Sequence, residues 1–130
     1  MQRFEIPIRL PGANEYITKS YSNRYKGNSL KKVTEKDIVV CIKARKLRYI
    51  KRPVFVKFVW FEASKKRDKD NVAFRKKFIF DAMQKARILP DDDNNYIMGF
   101  ADYFVYGEGQ KVVVEIYDCD EVGIDENDGI

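Results

Sequence analysis

Val54-Phe55-Val56-Lys57-Phe58-Val59-Trp60-Phe61 is the stretch on which the fold turns. β-Branched and aromatic residues fill nearly every position, so the reading is a strand that lies centrally in its sheet and is buried on both faces. Pro53 marks its start. Beyond its end comes a run of opposed charge, Lys65-Lys66-Arg67-Asp68-Lys69-Asp70-Asn71-Val72-Ala73-Phe74-Arg75-Lys76-Lys77. A central strand therefore delivers two aspartates, framed by cations, to a point that a rigid scaffold can hold.

In extended chain, residues i and i+2 face the same way, which lets Asp68 and Asp70 converge while Lys69 turns aside. Two bare carboxylates about 4 Å apart repel by roughly 4 kcal/mol at an effective dielectric of 20. A shared hard divalent cation removes that cost. The plainer reading has Asp70 or Asn71 capping the next helix and Asp68 paired with Arg67.

That helix is expected over Val72 to Ala86, with Val72, Ile79, Ala82, Met83 and Ala86 as its apolar stripe. On the wheel Lys77 lies about 20° from Asp70, whereas Lys76 is rotated by roughly 120°. Helical side chains lean toward the N-terminus, so Lys77 reaches toward the acids; its plainer role is a salt bridge to Asp81. Ile88-Leu89-Pro90 closes the helix. Asp91-Asp92-Asp93 follows in a turn, and three adjacent aspartates need a counter-ion or water to ionise together. One of them meeting Asp68 and Asp70 would complete an oxygen-only site for Mg²⁺ or Mn²⁺.

Working outward, Arg3 to Leu10 alternates Phe4, Ile6 and Ile8 against Arg3, Glu5 and Arg9, a half-buried strand pattern ended by Pro11-Gly12. Between Asn14 and Asn28, Tyr16, Tyr21 and Tyr25 stand among Lys19, Arg24 and Lys26. They suit a solvated loop or an arm that meets bases and phosphates. Ser29 to Leu47 reads as a helix with Val33, Ile38, Val39, Ile42 and Leu47 near one stripe, and Thr34 to Asp37 as its start or a solvent face. The cations from Lys43 through Lys46, Arg48, Lys51 and Arg52 compensate the helix dipole or form a phosphate track. Tyr96 to Tyr106 and Lys111 to Tyr117 read as two strands joined in a hairpin at Gly107-Glu108-Gly109.

The whole is expected to be one small α+β domain over residues 1–117, roughly β-α-β-α-β-β, with a mixed sheet and two main helices. Residues 118–130 form an acidic tail. With 130 residues, 45% of them apolar, the chain can bury one core. The net charge of +5 understates the body: taking away the tail's six acids leaves +11 on residues 1–117. Such a body attracts phosphate backbones in a salt-dependent way. No apolar run nears the roughly 18 to 20 residues that span a bilayer, and no signal peptide is visible, so the expected partner is not a membrane. Cys41 and Cys119 read as unpaired thiols of a reducing cytosol. The absence of histidine excludes His-ligated zinc, Ser/His triads and histidine bases.

The ordered set Arg67-Asp68-Lys69-Asp70-Asn71, Lys76-Lys77-Phe78-Ile79-Phe80-Asp81-Ala82-Met83, Lys85-Ala86, Ile88-Leu89 and Asp91-Asp92 resembles the RusA-like Holliday-junction resolvases. Leu10-Pro11-Gly12-Ala13-Asn14 resembles that family's opening, so the likeness spans most of residues 4–117. The resemblance implies a cytoplasmic, homodimeric, Mg²⁺-dependent endodeoxyribonuclease, commonly prophage-encoded, that nicks four-way DNA junctions symmetrically in recombination and repair, with no organic cofactor. By position it implies Asp68, Asp70 and Asp92 as metal ligands, Asp91 being the weaker choice for the third. It also implies an essential helix lysine. Counting from Phe80-Asp81 gives Lys77, but three extra residues after Asn71 relative to the family pattern leave Lys76 open. Lys65, Lys66, Arg67, Arg75, Lys76, Lys46 and Arg48 would contact the DNA backbone. A non-catalytic basic DNA-binding module is the alternative.

Overall fold

The computed structural model describes residues 1–12, 17–18, 24–65, 69, 73–90, 96–107 and 109–122. Chain order is β1 (Gln2–Ile6), α1 (Arg24–Lys43), β2 (Val54–Glu62), α2 (Lys76–Lys85), β3 (Ile97–Tyr106) and β4 (Lys111–Asp118), closed by a 3₁₀ turn at Cys119–Val122. The four strands form one mixed sheet in the order β1-β4-β2-β3. β4 runs antiparallel to both β1 and β2, and β3 runs parallel to β2. This is the expected small α+β domain with two main helices, in the expected order of elements.

β2 is central, between β4 and β3. Its even positions, Val54, Val56, Phe58, Trp60 and Glu62, are buried, whereas the odd ones are only half-buried. Burial on both faces is therefore not what the fold provides. Phe58 and Trp60 belong to the core with helix residues such as Ile38, Ile42, Ile79 and Met83. On the opposite face, Lys57 pairs with Glu115 at 3.6 Å and stands over the Tyr103 ring. A run that is apolar at almost every position conceals this alternation.

The expected hairpin is also absent. β3 and β4 do not pair with each other, because β2 lies between them and bonds to both. The connection crosses the end of β2, where the Gly107 N–H donates to the Glu62 carbonyl at 2.8 Å. Gly107 and Gly109 hold φ of 95° and 91°, values glycine adopts without a Cβ penalty, and so allow the crossing.

The first strand is shorter than its alternation suggests, ending at Ile6 before Pro7. α1 starts earlier than expected and stops at Lys43, with Lys46 at φ 51° in the turn beyond it. Its inward face carries Thr34, Glu35, Ile38 and Ile42, all buried. Val33, expected on the stripe, is 58% exposed. The Thr34 hydroxyl satisfies itself on the Leu30 carbonyl at 2.7 Å, which is how a polar residue can occupy that face.

α2 begins four residues later than its periodicity implies, after a turn at Phe74 and Arg75. Arg75 stands at the N-cap, yet its side chain makes no capping bond. It is instead buried against Glu62, with Nη1 3.3 Å from Oε1. Ile79, Ala82 and Met83 are buried as expected, joined by Phe78 and Phe80. At the far end, Arg87 takes φ 61° and the Ile88 carbonyl accepts the Ile50 N–H, tying the end of α2 to the approach to β2.

The body extends past Tyr117. Asp118 is the last residue of β4, and Cys119 is buried with its N–H on the Pro53 carbonyl at 3.3 Å. A small apolar side chain among the acids lets this first part of the tail pack. Neither cysteine forms a disulfide.

Candidate functional site

The proposed metal ligands Asp68, Asp70 and Asp92, the alternative Asp91, and the proposed DNA contacts Lys66 and Arg67 all lie outside the described residues. Among the described residues, no group of three or more potential ligands is close enough to hold a metal ion. The flanks of the two acidic segments are described. Glu62 closes the C-terminal end of β2, whereas Tyr96 sits at the other end, its carbonyl accepting the Val54 N–H at 2.8 Å. Nine strand residues separate these ends, about 26 Å at the usual rise per residue.

Between α2 and β3, the chain has built a stripe of cations over aromatic rings. Phe100, Asp102, Phe104 and Tyr106 occupy alternate positions of β3, in register with Val56, Phe58, Trp60 and Glu62 on the helix-facing side. Lys76 Nζ stands 4.1 Å from the Phe100 ring centroid, Lys69 Nζ 5.5 Å from that of Phe104, and Lys65 Nζ 5.5 Å from that of Tyr106. Each geometry falls within cation–π range. Phe104 and Tyr106 are themselves stacked. Rings beside lysines suit nucleic acid, because phosphates draw the cations and every base has a π-face.

Asp102 is the acid within this stripe. Its Oδ2 accepts from Lys76 Nζ at 2.5 Å and its Oδ1 accepts from the Trp60 indole N–H at 2.8 Å. Lys77 goes elsewhere. It is exposed and lines a small cleft of about 40 Å³ with Lys31, Phe74 and Phe78. The two adjacent lysines thus serve different sides of α2. The wheel that pointed Lys77 at Asp70 assumed one continuous helix from Val72, and the turn at Phe74–Arg75 removes that premise.

The other basic residues divide likewise. Arg75 is buried, and its Nε and Nη2 find no hydrogen-bond partner among the described residues. Burial pushes the Glu62 carboxyl above the usual glutamate range, while the nearby Arg9 charge draws it back down. This pair is a structural anchor at the strand end rather than an exposed phosphate contact. Lys46 and Arg48 are exposed. The Arg48 backbone clasps the Gln2 side chain with two hydrogen bonds, and Arg48, Lys51 and Arg52 line a cavity of about 520 Å³ with Gln2, Ile116 and Asp118. That cavity includes Val54, so these cations gather at the N-terminal end of β2, away from Glu62.

Reading the sequence missed Asp102, Trp60 and Glu62. Signals for them exist. Trp60 is the chain's single tryptophan, and a buried indole N–H seeks an acceptor. Asp102 is the sole acid between Ile97 and Tyr106. Glu62 continues the even-numbered buried register of β2.

No family model and no curated protein matches the chain when it is compared with them. Among the described residues, no helix is long and apolar enough to cross a membrane.

Proposed function

We propose that this chain is a metal-dependent, structure-selective endodeoxyribonuclease of the RusA-like class, acting as a cytoplasmic homodimer on four-way DNA junctions. The observation that carries the reading is the ordered set Arg67-Asp68-Lys69-Asp70-Asn71, the lysines and Phe80-Asp81-Ala82 of α2, and Asp91-Asp92. Chain order supports it, because the first acidic segment falls between a central strand and α2. The stripe of Lys65, Lys69 and Lys76 along β3 supports a polyanionic ligand.

Asp68, Asp70 and Asp92 form an oxygen-only donor set, whose chemistry fits Mg²⁺, with Mn²⁺ as a substitute. Bound there, the ion would polarise the scissile phosphate and lower the pKa of a water. A lysine from the first turn of α2 contacts the phosphate where negative charge develops. The exposed lysines orient the backbone without reading bases. Two such sites at the fixed separation of a dimer fit opposed strands of a branched substrate, with paired symmetric nicks as the product.

The cation-over-ring stripe taken without the acids favours a second reading, a non-catalytic basic DNA-binding module. Cleavage of a mobile four-way junction beside linear duplex of the same sequence, in Mg²⁺, Mn²⁺ or EDTA, separates the two. Paired, metal-dependent nicks on opposed strands are expected. Tight binding without cutting in any metal selects the module.

A further inference from the structure

Lys76 is held in a way that solubility does not require. Its side chain is 17% exposed, although it lies at the start of a helix where a lysine could extend into water. Two partners from β3 confine the ammonium, the Asp102 carboxylate and the Phe100 ring. Asp102 is in turn confined. Its second oxygen accepts from Trp60, which is 1% exposed and stacked 5.6 Å from Phe58 in the core. A rigid indole on β2 thus fixes a carboxylate on β3, and the carboxylate fixes a flexible ammonium on α2.

An ammonium carries three donors, and one carboxylate oxygen uses one of them. Donors remain for an incoming anionic oxygen. A charge-assisted hydrogen bond in a half-buried setting is stronger than one in water, so the side chain is ordered before any phosphate arrives. Ordering in advance is how supporting residues raise the efficiency of a lysine they do not replace. Among the described residues Lys77 has no comparable hold, being exposed beside Lys31, Phe74 and Phe78.

We propose that Asp102, fixed by Trp60, is a positioning residue that presents Lys76, rather than Lys77, to a DNA phosphate. This rests on the nuclease reading for its catalytic consequence, and on geometry alone for its binding consequence. Single-turnover cleavage and junction affinity are measured for Lys76→Ala, Lys77→Ala, Asp102→Asn and the double variant Asp102→Asn/Lys76→Ala. Asn keeps an acceptor for Trp60 but loses the charge that holds Lys76. Lys76→Ala is expected to slow cleavage by about 100-fold and Asp102→Asn by about tenfold, with affinity changed less than about threefold. Lys77→Ala is expected to lose much less than Lys76→Ala. The double variant is no slower than Lys76→Ala, since a positioning residue acts only through its partner. Additive losses, or a loss confined to Lys77→Ala, overturn the proposal.

Trp60, the single tryptophan, supplies a readout independent of cutting. With junction DNA in EDTA, its emission is expected to shift in wild type and Lys77→Ala, and to stay fixed in Lys76→Ala. If wild type shows this pattern yet cuts in no metal, the nuclease reading falls and the positioning of Lys76 stands. If bound DNA leaves wild-type emission unchanged, the positioning proposal falls. Trp60→Phe, which keeps a ring but removes the donor, is expected to slow cleavage in the same direction as Asp102→Asn; an unchanged rate in that variant counts against the chain of contacts.

Discussion

Lys85 on α2 donates a hydrogen bond to the carboxylate of Glu35 on α1, and that carboxylate is 1% exposed. Lys31 adds a weaker contact at 3.9 Å, and Glu35 Oε1 finds no hydrogen-bond partner among the described residues. Removing Lys85 strands a buried charge, whereas replacing Glu35 with an apolar residue removes the need for a partner. Lys85→Ala is expected to destabilise by about 1–2 kcal/mol, less than for a fully buried pair because water partly replaces an ammonium that is 57% exposed. Glu35→Met is expected to be neutral or stabilising. Urea denaturation of the two variants checks both signs.

Asp70→Asn is expected to retain the fold and junction binding while cleavage falls by at least about 100-fold, since an amide is a poorer ligand for a hard cation. EDTA is expected to have the same effect on wild type, and added Mg²⁺ to reverse it. A variant that cuts normally would place the metal ligands elsewhere. Gel shift and nicking on the same junction give both readouts.

The flanks of the two acidic segments stand at opposite ends of β2, about 26 Å apart. A site that draws on both segments needs either the chain beyond these flanks or a second copy of the chain to bring them together. For a site shared between copies, mixed dimers of Asp70→Asn with Asp92→Asn are expected to regain metal-dependent nicking at one site, although each variant alone is expected to be inactive. Continued inactivity of a verified mixed dimer would assign all three acids to one chain.

Burial raises the Glu62 carboxyl, so the folded chain keeps a proton that the unfolded chain has already lost over a window just above the usual glutamate range. In that window the folded state binds more protons, and stability contributed by this group declines as pH rises through it. Glu62→Gln is expected to flatten that slope. Denaturant midpoints from mildly acidic to neutral pH test it, and an unchanged slope would mean Glu62 is ionised throughout.

Much of the architecture was legible because it depends on local pattern. The β-branched run at Val54–Phe61 marked the central strand, and Ile79, Ala82 and Met83 marked the inner face of α2. What was not legible depends on partners distant in the chain. Gly107-Glu108-Gly109 has the composition of a hairpin turn, yet β2 takes the place between the strands, and no local signal reports that competition. Glu35 sits among Thr34, Lys36 and Asp37, residues suited to solvent, and its hydrogen-bonded partner among the described residues, Lys85, lies fifty positions away. For the site, the wheel that set Lys77 apart from Lys76 depended on where α2 begins. That was set by Arg75 turning inward to Glu62, a tertiary contact that helical periodicity does not encode.

The sheet order β1-β4-β2-β3 also has a kinetic consequence. Among the described residues β1 pairs only with β4, so β1 must wait for β4, and no strand pair in this sheet is a local hairpin. Each ladder closes a loop of considerable length before its contacts repay the lost chain entropy, which places the fold among slower folders for its size. During synthesis the apolar even side of β2 stays without its β4 neighbours Val112, Val114 and Ile116 until nearly the whole domain has left the ribosome. From the completion of β2 until β4 follows, the nascent chain therefore presents a sticky, unfinished sheet, and chaperone demand should rise for variants that delay β4.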